Sequence, residues 1–222
     1  PADAGTITGP AVVCQGDIGV VYSVPAIANA TNYIWTLPTG ATITAGATTD
    51  TITVNYSLVA TSGIVTVKGN NDCGDGIISA NHAVTINITP SITVNYSPPV
   101  CSGELVTVTP ADGGGNIVPL GTTYSWSLPT VTGGITGATA LSGQTNFNQT
   151  LTNPTNTTQT ASYDVTATTG GCSATTFSVL VTVYPKPIAS GTPLTQAKCS
   201  GAAIDPINFS LLNGVAGTID YN

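Results

Sequence analysis

Thiols are the most reactive groups this sequence offers. Five cysteines stand at Cys14, Cys73, Cys101, Cys172 and Cys199. Taken in order, Cys14 with Cys73 and Cys101 with Cys172 form two pairs, and each pair encloses one of the two tryptophans, Trp35 and Trp126. That reading places one disulfide in each of two units and leaves Cys199 over. An odd cysteine in a secreted chain means a free thiol, an intermolecular bridge or a partner outside the segment. On the loop-entropy model each bridge would stabilise its unit by about 4 kcal/mol.

The other chemistry is sparse. A general base needs a nucleophile and an orienting partner within reach, and the single histidine, His82, opens an alternating apolar run with neither nominated around it. Glycoside hydrolysis needs two carboxylates held across a cleft, whereas the ten Asp and Glu residues are scattered singly from Asp3 to Asp220. The expectation is a chain with no catalytic residue and no cofactor. One metal candidate exists. "GNNDCGDG" at Gly69–Gly76 gathers Asn70, Asn71, Asp72 and Asp75, hard oxygen donors of the kind calcium prefers. The spacing does not match an EF-hand loop, and the same residue types build ordinary tight turns. Asn71, Asp72 and Asp75 therefore stand as calcium candidates beside the simpler turn reading.

Strands must position these groups. The 222 residues are 41% hydrophobic and only 6% charged, with 25 Gly and 15 Pro. Thr, Val, Ile, Gly and Asn dominate, which favours β-structure with many turns. The net charge of −7 arises because there are three basic residues, Lys68, Lys186 and Lys198. No basic patch meets phosphates, which argues against nucleic acid. No apolar run approaches the roughly eighteen residues of a membrane span. The opening "PADAGTITGP" lacks the basic and apolar regions of a signal peptide, so the chain reads as a mature or internal piece of an exported protein.

Repeats organise the rest. "CSG" recurs at Cys101 and Cys199, with "CQG" at Cys14, and "NYIWTLP" from Asn32 matches "TYSWSLP" from Thr123. The ending "GTIDYN" resembles "GTTYSW" at Gly121–Trp126 with one residue inserted. "HAVTINITP" aligns Val84, Ile86 and Ile88 on one face; "FSVLVTVYPKP" aligns Phe177, Val179, Val181 and Val183. Period two marks a strand with one buried face, and the prolines that follow stop the ladder. These signals predict repeats over residues 1–90 and 91–185 and the beginning of a third over 186–222.

"GVVYSV", "TITVNY", "GIVTVK", "ELVTVT" and "ASYDVTA" supply further short strands between turn clusters, and no window has helical spacing. The expected fold class is all-β, a tandem of Ig-like β-sandwiches with one disulfide per complete repeat. Within a thin sandwich a tryptophan fills the core and shields a disulfide, so Trp35 and Trp126 are read as core anchors. A carbohydrate-stacking platform would then fall to Tyr22, Tyr56, Tyr96 and Tyr184, whose places at strand ends also suit ordinary packing.

The phrases "GTITGPAVVCQGDIGVVYSVP", "ATNYIWTLPTGATI" and "VKGNNDCGDG", and in the second unit "PPVCSGELVTVTPADGG" and "SYDVTATTGGCSATTFSVLVTVYPKP", resemble the PKD-like repeats of very large cell-surface proteins of Bacteroidota. The resemblance covers essentially the whole chain. Such proteins include surface adhesins and stalks exported by the type IX secretion system, and gliding-motility adhesins among them. The resemblance therefore implies a structural segment of an extracellular, outer-membrane-associated adhesin. Its expected partners are neighbouring repeats, surface glycans and other cell-surface or secretion-system proteins. The alternative is a carbohydrate-binding or accessory module of a secreted multidomain enzyme. True PKD domains carry a "WDFGDG"-like phrase after their tryptophan; here Trp35 is followed by "TLPTGA", so nothing is carried over from that phrase. "DTI" at Asp50–Ile52 resembles the Asp-Thr-apolar acceptor of Bacteroidota O-glycosylation, which makes Thr51 a glycan candidate.

Overall fold

The computed structural model describes residues 1–187, 189–192, 199–203 and 208–211. Among these residues every regular element is a strand. Two compact units form. Unit 1 comprises Pro1–Ile92, Ala111–Thr123 and Ala167–Thr175; unit 2 comprises Thr93–Pro110, Tyr124–Thr166 and the described residues from Thr176 on. Cuts at two points in the sequence do not produce this division, because two later segments pack within unit 1. Most of the predicted third repeat, including Lys198 and "GTIDYN", lies outside the described residues.

The first repeat supplies β1 (Val12–Cys14), β2 (Val20–Ser23), β3 (Asn32–Thr36), β4 (Ala41–Ala45), β5 (Thr51–Tyr56), β6 (Gly63–Asn71), β7 (Gly74–Asp75) and β8 (His82–Asn87). One sheet runs β1-β8-β6-β3, with β7 also on β6, and a second runs β2-β5-β4. Pairing is antiparallel except between β1 and β8, which lie parallel with Cys14 beside Asn87. The alternation in "TITVNY" buries Ile52, Val54 and Tyr56. They meet Tyr22 of β2, and Val13, Val65, Val67, Val84 and Ile86 of the other sheet, in one core. Ile88, placed on that face by the pattern, falls past the end of β8 and is exposed.

The second repeat supplies β9 (Pro99–Cys101), β10 (Leu105–Val108), β11 (Thr123–Trp126), β12 (Thr130–Val131), β13 (Leu141–Gln144), β14 (Phe147–Thr150), β15 (Gln159–Thr169), β16 (Cys172–Ser173) and β17 (Phe177–Tyr184). The larger sheet runs β13-β11-β15-β17-β9, with β12 and β16 also on β15, and β10 pairs β14. Again the first strand of the repeat lies parallel to the last, with Cys101 beside Tyr184. Two strands follow, β18 (Ala189–Thr192) and β19 (Asn208–Leu211), paired with each other. Phe177, Val179, Val181 and Val183 are buried as their alternation requires. Phe147 lies 4.9 Å from Trp126 and 4.8 Å from Tyr163, ring to ring.

Candidate functional site

The structure closes one bond among the described residues, Cys14–Cys172, and leaves Cys73, Cys101 and Cys199 as exposed free thiols. The expected pairs Cys14–Cys73 and Cys101–Cys172 are thereby corrected, and the reason is strand length. Cys14 sits beside Asn87, past the Gly63 end of β6, whose Gly63 faces Val84. Cys73 follows the opposite end, Asn71. At about 3.3 Å per residue the stretch from Gly63 to Asn71 already spans roughly 26 Å, whereas a disulfide needs Cα atoms within about 7 Å. The second repeat obeys the same rule. Cys101 pairs Tyr184 beside the Gln159 end of β15, and Cys172 pairs Thr169 at the other end, roughly 33 Å along the strand. Each repeat therefore carries its two cysteines at opposite poles.

The bridge that does form is seated by local chemistry within unit 1. Cys14 ends β1 in a tight turn: its amide donates to Asp17 Oδ2 at 2.7 Å, and its carbonyl accepts from the amide of Asp17 at 3.1 Å. Gly16 supplies the positive φ of +86° that the turn needs. The amide of Gln15 donates to the carbonyl of Asn87 at 2.9 Å, which anchors the turn to β8. Opposite stands the β15–β16 hairpin, where Gly170 and Gly171 take φ of +56° and +86°. Positive φ at both central positions marks the hairpin turn that glycine favours. Asn87 Nδ2 donates to the carbonyl of Gly170 at 2.8 Å. Cys172 is 1% exposed, and its Cα lies 5.7 Å from that of Cys14.

Asn87, Gly170 and Gly171 were not singled out by sequence reasoning, although a Gly-Gly pair directly before a cysteine is a hairpin signal. With the bond joining cysteines of two repeats, the expected shielding of a disulfide within each repeat by its tryptophan also falls. Trp126 is buried at 5% exposure and donates Nε1–H to the carbonyl of Thr139 at 3.0 Å. Trp35 is half-buried against the unit 1 core and donates to the carbonyl of Thr49 at 2.9 Å.

Two of the calcium candidates, Asp75 and Asn71, are engaged by neighbouring groups. Asp75 Oδ2 pairs with Lys68 Nζ, and its Oδ1 accepts from Asn70 Nδ2 at 2.7 Å. Asn71 Nδ2 donates to the carbonyl of Asn29 at 2.7 Å, and its Oδ1 accepts from the amide of Cys73 at 2.9 Å. This is the bonding of a structured turn, and Asp72 is exposed beside it. No group of three or more His, Cys, Asp or Glu among the described residues is arranged to hold a metal. His82 Nε2 lies 3.3 Å from the carbonyl oxygen of Pro10, and its ring meets Tyr22 edge-on at 5.7 Å.

Two of the four tyrosines proposed for stacking are interior. Tyr22 and Tyr56 are fully buried, and their hydroxyls share a hydrogen bond of 2.8 Å. Burial raises both phenols above their ordinary range. Tyr96 is half-buried with its ring 5.9 Å from Phe177, and Tyr184 is exposed. Thr51 is an exposed residue at the start of β5, its hydroxyl 3.2 Å from Asp50 Oδ1.

An all-β fold, a parallel first and last strand in each repeat, and the same Cys-x-Gly turn at each strand end define tandem Ig-like sandwich repeats. Family models described as PKD-like domain match residues 1–84 and 98–187, together most of the chain, and the chain belongs to that family. No curated protein matches it. Among solved structures it is similar to an I-band fragment from titin at 10% identity and TM-score 0.39, covering 82% of this chain and 64% of that one. It is also similar to the FN1–FN3 domains of chicken CNTN1 at 10% identity and TM-score 0.36, covering 88% and 71%. The chain thus spans less than two thirds of the titin fragment. No helix among the described residues is long and apolar enough to cross a membrane.

Proposed function

We propose that this chain is a load-bearing repeat segment of a secreted cell-surface adhesin or stalk, of the kind exported by type IX secretion and used in gliding motility, which holds a binding region away from the cell. The boundaries proposed for its repeats are those of residues 1–90 and 91–185, with a third beginning at 186. One observation carries the reading. The Cys14–Cys172 bond closes a loop with a sequence separation of 158, and β2 to β15 lie inside it. Tension applied at the chain ends is therefore borne by a covalent bond before it reaches the strands inside the loop. A spacer needs that property, and a catalyst gains nothing from it. The role proposed is non-enzymatic, with neighbouring repeats as the first partners and surface glycans or other surface proteins as ligands of the parent molecule. A glycan on exposed Thr51 would suit such a surface.

Two measurements test this. In single-molecule stretching, the oxidised chain yields only the residues outside the loop, and reduction releases roughly 500 Å more at about 3.3–3.6 Å per residue. Equal extension with and without reductant would remove the load-bearing role. Protease added to intact source cells should cleave the protein; complete protection would remove the surface location.

A further inference from the structure

The backbone bonding that follows Cys14 recurs after Cys101. Both close the first strand of their repeat, parallel to the last strand. Asp17 donates its amide to the Cys14 carbonyl at 3.1 Å, and Glu104 does so to Cys101 at 3.1 Å. The residue after each cysteine donates to the last strand, Gln15 to Asn87 and Ser102 to Tyr184, both at 2.9 Å. The following glycine donates to a facing strand or its end, Gly16 to Tyr56 at 3.1 Å and Gly103 to Leu151 at 2.8 Å. The turn glycines share φ of +86° and +88°. Cys199 heads a third copy of this turn, with Gly201 at +87° and Ala202 donating to the Cys199 carbonyl at 3.0 Å.

Cys73 likewise occupies the setting of Cys172. It sits in the β6–β7 hairpin, where Asn71 pairs Gly74 as Thr169 pairs Cys172. The difference is one residue: Cys73 is the last turn residue and Cys172 the first of the returning strand. Both Cys73 and Cys101 are exposed and free.

We propose that Cys101 and Cys73 are the two open halves of the Cys14–Cys172 linkage. The cysteine ending a repeat's first strand bonds the hairpin cysteine of the next repeat, so Cys101 takes the hairpin cysteine of a following repeat and Cys73 the strand-end cysteine of a preceding one. A run of repeats is then tied by overlapping covalent loops. This deepens the proposed function and rests on its tandem-repeat part, independently of adhesion. In each closure two thiol sulfurs join. Their two electrons and two protons pass to a disulfide oxidant, such as glutathione disulfide or an oxidised dithiol protein, which is released as two thiols.

The test is a fusion in repeat register, in which residues 1–198 run into residues 14–222 of a second copy, so that the second copy's Cys14 stands where Cys199 was. After refolding with glutathione disulfide, free thiols are alkylated and peptides mapped without reduction. The expected result is a peptide joining Cys101 of the first copy to Cys73 of the second, with loss of alkylation at both, alongside Cys14–Cys172. Cys101→Ser should restore alkylation at the second copy's Cys73 while Cys14–Cys172 still closes. Free Cys101 and second-copy Cys73 in a fusion that closes Cys14–Cys172 overturns the proposal, as does Cys101 bonded within its own repeat. Absence of Cys14–Cys172 from the map removes its template and overturns it too. Stretching and cell-surface cleavage read the stalk role separately from these outcomes.

Discussion

Asn87 grips the backbone of Gly170 where no side chain fits. Its Nδ2 donates to the Gly170 carbonyl at 2.8 Å, and a Cβ on Gly170 would lie 2.7 Å from that same nitrogen. The contact presents the next-but-one residue, Cys172, to Cys14. Replacing Gly170 with alanine adds this clash to a backbone held at φ +56°, a strain of about 1–3 kcal/mol. Gly170→Ala should lower unfolding stability by that amount and slow closure of Cys14–Cys172. Denaturant unfolding and the rate of thiol loss on refolding measure the two effects.

Opening the bridge should be the costliest single change to the denatured-state balance. For a loop of this length the chain-entropy model assigns about 5 kcal/mol. Cys14→Ser and Cys172→Ser should each lose stability of that order, whereas Cys73→Ser and Cys101→Ser leave this chain's melting temperature unchanged because both thiols are free. Equal losses in all four variants would mean that the pairing is different.

Base should unfold the protein through its buried phenols. Burial pushes Tyr163 up to about 12, and it also raises Tyr22, Tyr56 and Tyr124. In the unfolded chain tyrosine titrates near 10, so the folded state holds these protons more tightly. Their stabilisation is complete below pH of about 10 and is lost as pH rises through the folded values. Tyrosinate absorbance from these residues should appear only together with loss of near-ultraviolet circular dichroism. Their ionisation near pH 10 in an intact fold would contradict the buried placement.

The hairpin carrying Cys73 has an acid-sensitive brace. Hydrogen bonds from Lys68 and then Asn70 hold the Asp75 carboxyl below its usual range. The stabilisation is present above the ordinary carboxylate pKa and is lost as pH falls through the folded value. In Lys68→Met the Asp75 titration followed by NMR should move up toward the ordinary carboxylate range. Calcium added to the wild type should leave the Asp75 and Asn71 resonances where they are; a saturable shift would support the calcium reading over the turn.

The two tryptophans should differ in cost. Trp126 is 5% exposed and packed on Phe147, so Trp126→Ala should cost about 3–5 kcal/mol in denaturant unfolding. Trp35 is only half-buried, and Trp35→Ala should cost clearly less.

Much of this architecture was written in local pattern. Alternation named the buried face of β17, and that of β8 except for Ile88, because side chains on a strand point to opposite sides whatever the strand pairs with. The Cys-x-Gly phrases marked equivalent points of the repeats, and the structure makes each a turn whose glycine takes the positive φ that glycine alone adopts freely. Tertiary structure alone decided which thiols meet. Pairing in sequence order assumed that the two cysteines of a repeat lie near each other, but a parallel first and last strand puts one at each pole of β6 or β15, several disulfide lengths apart. Cys14 meets Cys172 because Asn87 and the two hairpin glycines bring their Cα atoms to 5.7 Å. Distance between sequence-remote residues is set by register and packing, and neither is carried by the residues on their own.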